Sequence, residues 1–295
     1  MNCFCNFFYG LALKAAFRTS YSAKTMRRNF ELIVGTAPAK LRKKYGLTVE
    51  VVNLDGILAE IISPKTTPSK TLFYLHGGGY FMGSIYGYRK YASMFVRNCG
   101  VRVVLIDYRL APEHPYPAAL EDAVKSYKEV LKKFPNQPII IAGDSAGGGL
   151  TLATGLFLRD SKIALPAGFI GISPWTDLTG SGESVTTNRC KDVWLSRKHM
   201  EVWAPWYAGS QNKMNPYLSP VFGDFHGLSP ILLMVGDREV LLDDSTRVSN
   251  SAKKAGVKAD LHLGQSMQHD WMLAMPFLNE SKRAWKAIET FISSV

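Results

Sequence analysis

The sequence predicts an α/β fold, a mainly parallel sheet covered by helices on both faces, and three observations predict it. Apolar, β-rich runs alternate with amphipathic helical patterns from residue 71 to the C-terminus. A hairpin signal at Asp55-Gly56 precedes that alternation. At the centre, the run Pro138-Ile139-Ile140-Ile141-Ala142 leads through Gly143-Asp144-Ser145-Ala146-Gly147 into a helical stretch carrying Leu150, Leu152, Leu156 and Leu158. A chain of 295 residues can bury a large core, and one α/β domain with insertions accounts for it.

In chain order, residues 1–45 read as helical and aromatic, an N-terminal helical cap segment. Phe4, Phe7, Phe8 and Leu11 share one side of a first segment, although Arg18 falls there too. In a second helix Met26, Phe30, Ile33 and Val34 form one face, and Gly35 and Pro38 are expected to stop it. Strands are expected at Leu47–Asn53 and Ile57–Ser63, then at Thr71–Leu75. Helix follows around Tyr86–Asn98, strand at Val101–Ile106, helix at Ala118–Lys133, strand at 138–142, helix at 146–160 and strand at Ala167–Ile172. Residues 181–218 break the rhythm, with Trp194, Met200, Trp203, Trp206 and Tyr207 crowded into a short apolar region. Such an insertion into residues 46–295 suits a cap over the sheet edge where ligands bind. Alternation resumes with strand Ile231–Val235, helix Asp243–Lys254, strand Ala259–Leu263 and a closing helix near Asn279–Ile292.

Composition narrows the classes. The formal charge is +11, yet residues 1–44 hold nine Lys and Arg against Glu31 alone, which leaves the rest of the chain close to neutral. Basicity of this kind belongs to an arm and not to a nucleic-acid groove through the body. A basic aromatic arm permits weak membrane-surface contact, though helices capping a core are the favoured reading. No stretch approaches the ~18 to 20 apolar residues of a membrane span. Phe7 to Leu13 is apolar, but no basic residue precedes it and no convincing cleavage site follows, so export is disfavoured. Cys3, Cys5, Cys99 and Cys190 are too sparse for a disulfide framework, and Cys3-x-Cys5 lacks partners for zinc. Reduced thiols in a cytoplasmic protein are expected.

A strand that turns sharply into a helix around Gly-x-Ser-x-Gly is a nucleophile elbow. Side chains at 143 and 147 would collide with neighbouring backbone, and the helix N-terminus beneath Ser145 favours developing negative charge. An acyl-transfer serine also needs oxyanion donors, a base and an orienting acid. His76-Gly77-Gly78-Gly79 follows the third strand, and the amides of Gly78 and Gly79, with that of Ala146, supply three donors. No Gly-Lys-Ser/Thr follows either glycine run, which excludes a mononucleotide loop. Six histidines compete for the base. His76 lies in the glycine loop, His114 in a Pro-rich loop before the serine, His199 and His226 in or after the insertion, and His262 inside a strand. His269 alone lies in a loop after the last strand, in the chain order Ser, acid, His.

These residues carry a resemblance. The chain resembles the hormone-sensitive lipase-like, or bacterial family IV, carboxylesterases of the α/β-hydrolase superfamily. It does so through His76-Gly77-Gly78-Gly79-Tyr80, Asp107-Tyr108-Arg109-Leu110-Ala111-Pro112-Glu113, Gly143 to Gly148, Ser173-Pro174-Trp175-Thr176-Asp177-Leu178 and Gly236 to Asp243. The likeness covers about residues 45–295. It implies an α/β-hydrolase fold with a helical cap, and hydrolysis of short- to medium-chain acyl esters without cofactor or metal. It also implies that Asp107, Arg109 and Asp177 are scaffold residues near the site. The family commonly places its acid three residues after a glycine, which here is Glu239, counted from Gly236. Asp237 and Asp243 compete with it, the latter at the start of the next helix.

The expected function is therefore a serine carboxylesterase using Ser145, His269 and Glu239, with Gly78, Gly79 and Ala146 as the oxyanion hole. The expected partner is a small ester and not nucleic acid, and a homodimer stays open. The rivals are a lactonase, amidase or deacetylase using the same residues, and a ligand receptor that kept the fold without turnover.

Overall fold

A computed structural model describes residues 22–35 and 37–295. The first aromatic segment, the apolar run Phe7–Leu13, and Cys3 and Cys5 lie outside the described residues. Eight strands form one sheet: β1 (Thr48–Leu54), β2 (Ile57–Ser63), β3 (Thr71–Leu75), β4 (Arg102–Ile106), β5 (Ile139–Asp144), β6 (Gly168–Ile172), β7 (Ile231–Gly236) and β8 (Ala259–Gly264). Among the described residues ten helices accompany them: α1 (Ala23–Val34), α2 (Pro38–Tyr45), α3 (Ile85–Cys99), α4 (Ala118–Lys133), α5 (Ser145–Asp160), α6 (Ser184–Thr187), α7 (Arg197–Ala208), α8 (Leu242–Lys254), α9 (Trp271–Ala274) and α10 (Asn279–Ser294).

The spatial order is β1-β2-β4-β3-β5-β6-β7-β8. β1 pairs antiparallel with β2 through the two-residue turn Asp55-Gly56, and β2 runs antiparallel to β4. Asp55 and Gly56 both adopt positive φ, 54° and 92°, the geometry that matches the right-handed strand twist. The other pairings, β4-β3-β5-β6-β7-β8, are all parallel. Parallel strands covered on both faces need continuous apolar runs, and β3, β5 and β7 are buried throughout.

From β3 the chain moves outward to β4 and then back across to β5. α3 thus lies on one face, packed on α10 through Phe95 and Trp285 at 4.9 Å, and α4 and α5 lie on the other. The reversal opens a crevice at the carboxyl ends of β3 and β5, the place where open α/β sheets bind ligands. The glycine loop 76–80 leaves β3 on one side of it, and Ser145 leaves β5 on the other.

α1 buries Met26 and Phe30 as expected and ends at Gly35, whereas Ile33 is exposed. A twelve-residue helix on a surface has one narrow stripe to bury, and Met26 and Phe30 occupy it. Pro38 departs from expectation. It opens α2 in place of ending α1, because the first helical position needs no N–H donor. Among the described residues, no helix is long and apolar enough to cross a membrane. Cys99 and Cys190 are free thiols.

Candidate active site

The serine turn is as tight as its glycines imply. A Cβ on Gly143 would sit 2.3 Å from the Gly147 carbonyl oxygen, and one on Gly147 would sit 2.0 Å from that of Leu75. Ser145 takes a left-handed φ of 51°, a strained conformation for a side-chain-bearing residue, and this presents its Oγ at the first turn of α5. There the Oγ lies 3.0 Å from His269 Nε2.

The other side of the imidazole meets Glu239. His269 Nδ1 lies 2.9 Å from Glu239 Oε2, while Glu239 Oε1 accepts from the Gly236 amide at 2.6 Å and from Ser173 Oγ at 2.8 Å. Glu239 is wholly buried, so all three partners act in a medium that screens charge weakly. Burial alone would depress the His269 pKa, but the carboxyl groups of Asp270 and Glu239 outweigh it and raise the pKa.

Of the two competing acids, neither approaches His269. Asp243 accepts from the Ser184 amide at 2.8 Å through Oδ2, in the first turn of α8. Asp237 is half-buried, with one carboxylate oxygen that no described group bonds. Segment 181–218 fixes the acid loop from outside. Asn188 Nδ2 donates to the Glu239 carbonyl at 2.8 Å, and Asp192 accepts from the Val240, Trp194 and Leu195 amides at 2.8–2.9 Å. Burial pushes Asp192 up to about 6 against those amides.

Facing Ser145 is the glycine loop. Gly78 and Gly79 have φ of 108° and 61°, which turns their amides without Cβ interference. Neither amide has an acceptor among the described residues, and Ala146, second in α5, lacks one within its helix. Asp144 locks this loop to the serine turn. Its Oδ1 accepts from Tyr74 OH at 2.7 Å and the Gly77 amide at 3.0 Å, and its Oδ2 from Tyr88 OH at 3.1 Å. Burial lifts Asp144 to about 6, opposed by those donors. His76 stacks between Tyr88 and Tyr108, with ring centroids 5.1 and 4.2 Å away, and burial lowers it to about 4. It is a neutral packing residue. From α1, Arg27 donates to the carbonyls of Phe81 and Ala111 and pairs with Glu113. The arm thereby braces the glycine loop.

Asp107 accepts from the Ile85 amide at 3.2 Å, Arg109 pairs with Asp122 and Glu121, and Asp177 pairs with Arg247 at 2.8 Å. All three hold loops around the sheet edge.

Sequence reasoning missed three residues. Ser173, at φ 43°, both donates to Glu239 and accepts from the Asp270 amide at 3.1 Å. Asp192 is the second. The third is Asp270, whose Oδ2 lies 3.3 Å from His269 Nε2. Only the position of Asp270 beside His269 could have flagged it. Trp194 stands edge-on to His269 at 5.3 Å, and Phe81 meets Trp203 and Trp206, each at 5.1 Å.

The profile of a family described as the alpha/beta hydrolase fold matches residues 72–273. The chain is 37% identical over 244 residues to an acetyl-hydrolase of Streptomyces hygroscopicus, covering 82% of each chain. It is 34% identical to an esterase of Acinetobacter venetianus, covering 84% of this chain and 83% of the relative. Among solved structures, an esterase from the bacterial hormone-sensitive lipase family superposes with a TM-score of 0.88 at 37% identity, covering 96% of this chain and 94% of that one. A hormone-sensitive lipase from a metagenome library superposes with a TM-score of 0.89 at 31% identity, covering 97% of both.

Proposed function

This chain belongs to the α/β-hydrolase family, among its hormone-sensitive lipase-like esterases, and from that premise we propose that it cleaves short- to medium-chain acyl esters through Ser145, His269 and Glu239. Its class, a carboxylic ester hydrolase, follows from the relatives. The observation that carries the residue roles is the unbroken hydrogen-bond chain from Ser145 Oγ through His269 to Glu239.

In this reading Ser145 Oγ attacks the ester carbonyl while His269 Nε2 takes its proton. Nδ1–H stays on Glu239, which holds the ring in that tautomer and stabilises the imidazolium. The carbonyl oxygen becomes an oxyanion facing the amides of Gly78, Gly79 and Ala146. Removal of one such donor typically costs about 3 kcal/mol. His269 then protonates the alkoxide oxygen, the C–O bond breaks, and the alcohol leaves an acyl-Ser145 ester. Water, deprotonated by His269, attacks that ester and releases the acid and the serine.

The preference for short acyl groups, about two to eight carbons, draws support from the aromatic crowding. Trp194 packs on His269, and Phe81 and Trp203 pack against Gly79, so bulky rings crowd both the base and the glycine loop. The acetyl-hydrolase among the relatives points the same way. α1 and segment 181–218 serve as the cap, with Arg27 and Asn188 as their ties to the glycine and acid loops. A panel of p-nitrophenyl esters tests the reading, with an anilide and a lactone beside them. Butyrate should be turned over with a burst of nitrophenol and faster than palmitate. Faster palmitate hydrolysis, or turnover of the lactone or anilide alone, would overturn it.

A further inference from the structure

Among the described residues the most exposed large apolar side chain is Leu32, at 79%, and its neighbour Ile33 stands at 51%. Both lie in the last turn of α1, whose inner side is taken up by Met26 and Phe30. Single apolar residues on a surface need no explanation. These two differ in the company they keep. Lys24, Arg28 and Leu32 recur at every fourth position and are all exposed, so one row along the outer face of α1 carries two cations and then a leucine.

The charge around that row is one-sided. Residues 22–45 hold seven Lys and Arg against Glu31 alone. Glu31 is half-buried and accepts from Ser84 Oγ at 2.6 Å, at the start of α3. Next in the chain, α2 buries Leu41 and exposes Lys40, Lys43 and Lys44. A surface helix with cations and bulky apolar groups together on its outer face suits an anionic lipid surface, where the cations meet headgroups and the apolar groups reach the acyl boundary. A nucleic acid would use the cations and leave Leu32 and Ile33 bare. No described helix can cross the bilayer, so the contact lies in the plane of its surface. The position of this face gives the contact a use. Ile33 lines, with Leu273 and Ala274 of α9, the same recess that Asp144 and Asp270 reach, and those acids adjoin Ser145 and His269 in the chain.

We propose that the outer face of α1, through Lys24, Arg28, Leu32 and Ile33, docks on the surface of an anionic lipid bilayer and brings the edge of the catalytic site against it. The docking goes beyond the esterase reading, and vesicle binding is measured without turnover.

The test is co-sedimentation of the full-length protein with phosphatidylcholine vesicles, with and without phosphatidylserine, at low and at high salt. The protein should bind the anionic vesicles, less so as salt rises, and at least about tenfold more weakly when phosphatidylserine is left out. Leu32→Ser should weaken binding about tenfold, the scale of one large apolar side chain kept in water. Lys24→Gln with Arg28→Gln should weaken it by about tenfold or more and flatten the salt dependence. All three residues are exposed, so hydrolysis of soluble p-nitrophenyl acetate by these variants should stay within about twofold of wild type. Absence of binding to the anionic vesicles, or binding that both variants retain, overturns the docking. So does binding that is lost in Phe7→Ser with Phe8→Ser and kept in Leu32→Ser, which puts the contact upstream of α1. If Leu32→Ser splits a dimer and leaves vesicle binding as it was, the face belongs to a second copy and the docking is again overturned. Vesicle binding by a protein that hydrolyses no ester supports the docking and sinks the esterase reading alone.

Discussion

Glu239→Gln isolates the acid from the rest of the machinery, because it keeps the volume and changes only the donor pattern. The amide has one oxygen for two demands. Turned toward His269, the oxygen would leave the new NH₂ against the Gly236 N–H, which now lies 2.6 Å from Oε1. Two donors face to face in a fully buried site cost about 1–3 kcal/mol. Turned the other way, the oxygen keeps Gly236 and Ser173, and the NH₂ points at His269 Nδ1. The second arrangement wins. It forces the ring proton onto Nε2, where it faces Ser145 Oγ at 3.0 Å and cannot accept from it. Loss of a triad acid in this manner lowers turnover by roughly 10² to 10⁴-fold, or about 3–5 kcal/mol of barrier. The assay is kcat/KM on p-nitrophenyl butyrate beside thermal melting, with Asp237→Asn as the control expected to be nearly silent. Retention of wild-type turnover by Glu239→Gln, or a larger loss in Asp237→Asn at equal stability, would refute the assignment.

Gly78→Ala should lose at least ~10²-fold in rate, because its Cβ would lie 2.2 Å from the Met82 carbonyl oxygen at a φ of 108° and the donor loop must move; unaltered kinetics would remove Gly78 from the oxyanion hole. His269 must be neutral to accept the serine proton, and the neighbouring carboxyl groups raise its pKa, so kcat/KM should fall with acidification from a limb above 6.5. Asp270→Asn removes one upward push and should move that limb to lower pH, while an upward move would show the sign to be wrong. Deletion of residues 1–35 exposes the ground under Met26 and Phe30 and frees the carbonyls that Arg27 holds. It should cost about 3–6 kcal/mol of stability and raise KM for p-nitrophenyl butyrate; a truncated protein with wild-type melting and KM would contradict the bracing role.

Much of this molecule is legible in the chain because its signals are local. The hairpin at Asp55-Gly56, the apolar run into Gly143 and the glycine loop after β3 each combine a period with a turn residue, and each lies within a few residues of its expected place. The position of Glu239 came from resemblance, since a strand followed by three acids within seven residues does not say which carboxylate turns inward. The sheet order, with β4 outside β3, depends on contacts between strands far apart in sequence. Pro38 misled because proline suits a helix start as well as a helix end. Ser173 and Asp192 act through bonds spanning 66 and 48 residues, to Glu239 and Val240, and no spacing rule links such pairs. Asp270 directly follows His269, and nothing in the sequence says that its carboxylate turns toward the ring. Its approach to His269 Nε2 at 3.3 Å exists only in the folded loop.

The central claim is that Ser145 is the nucleophile. The direct measurement is reaction with a diethyl p-nitrophenyl phosphate probe, followed by peptide mass mapping and residual activity. One diethylphosphoryl group should appear on Ser145 in step with complete loss of esterase activity, and Ser145→Ala should take up none. Stoichiometric labelling of any other residue, or esterase activity that survives full labelling of Ser145, would contradict it.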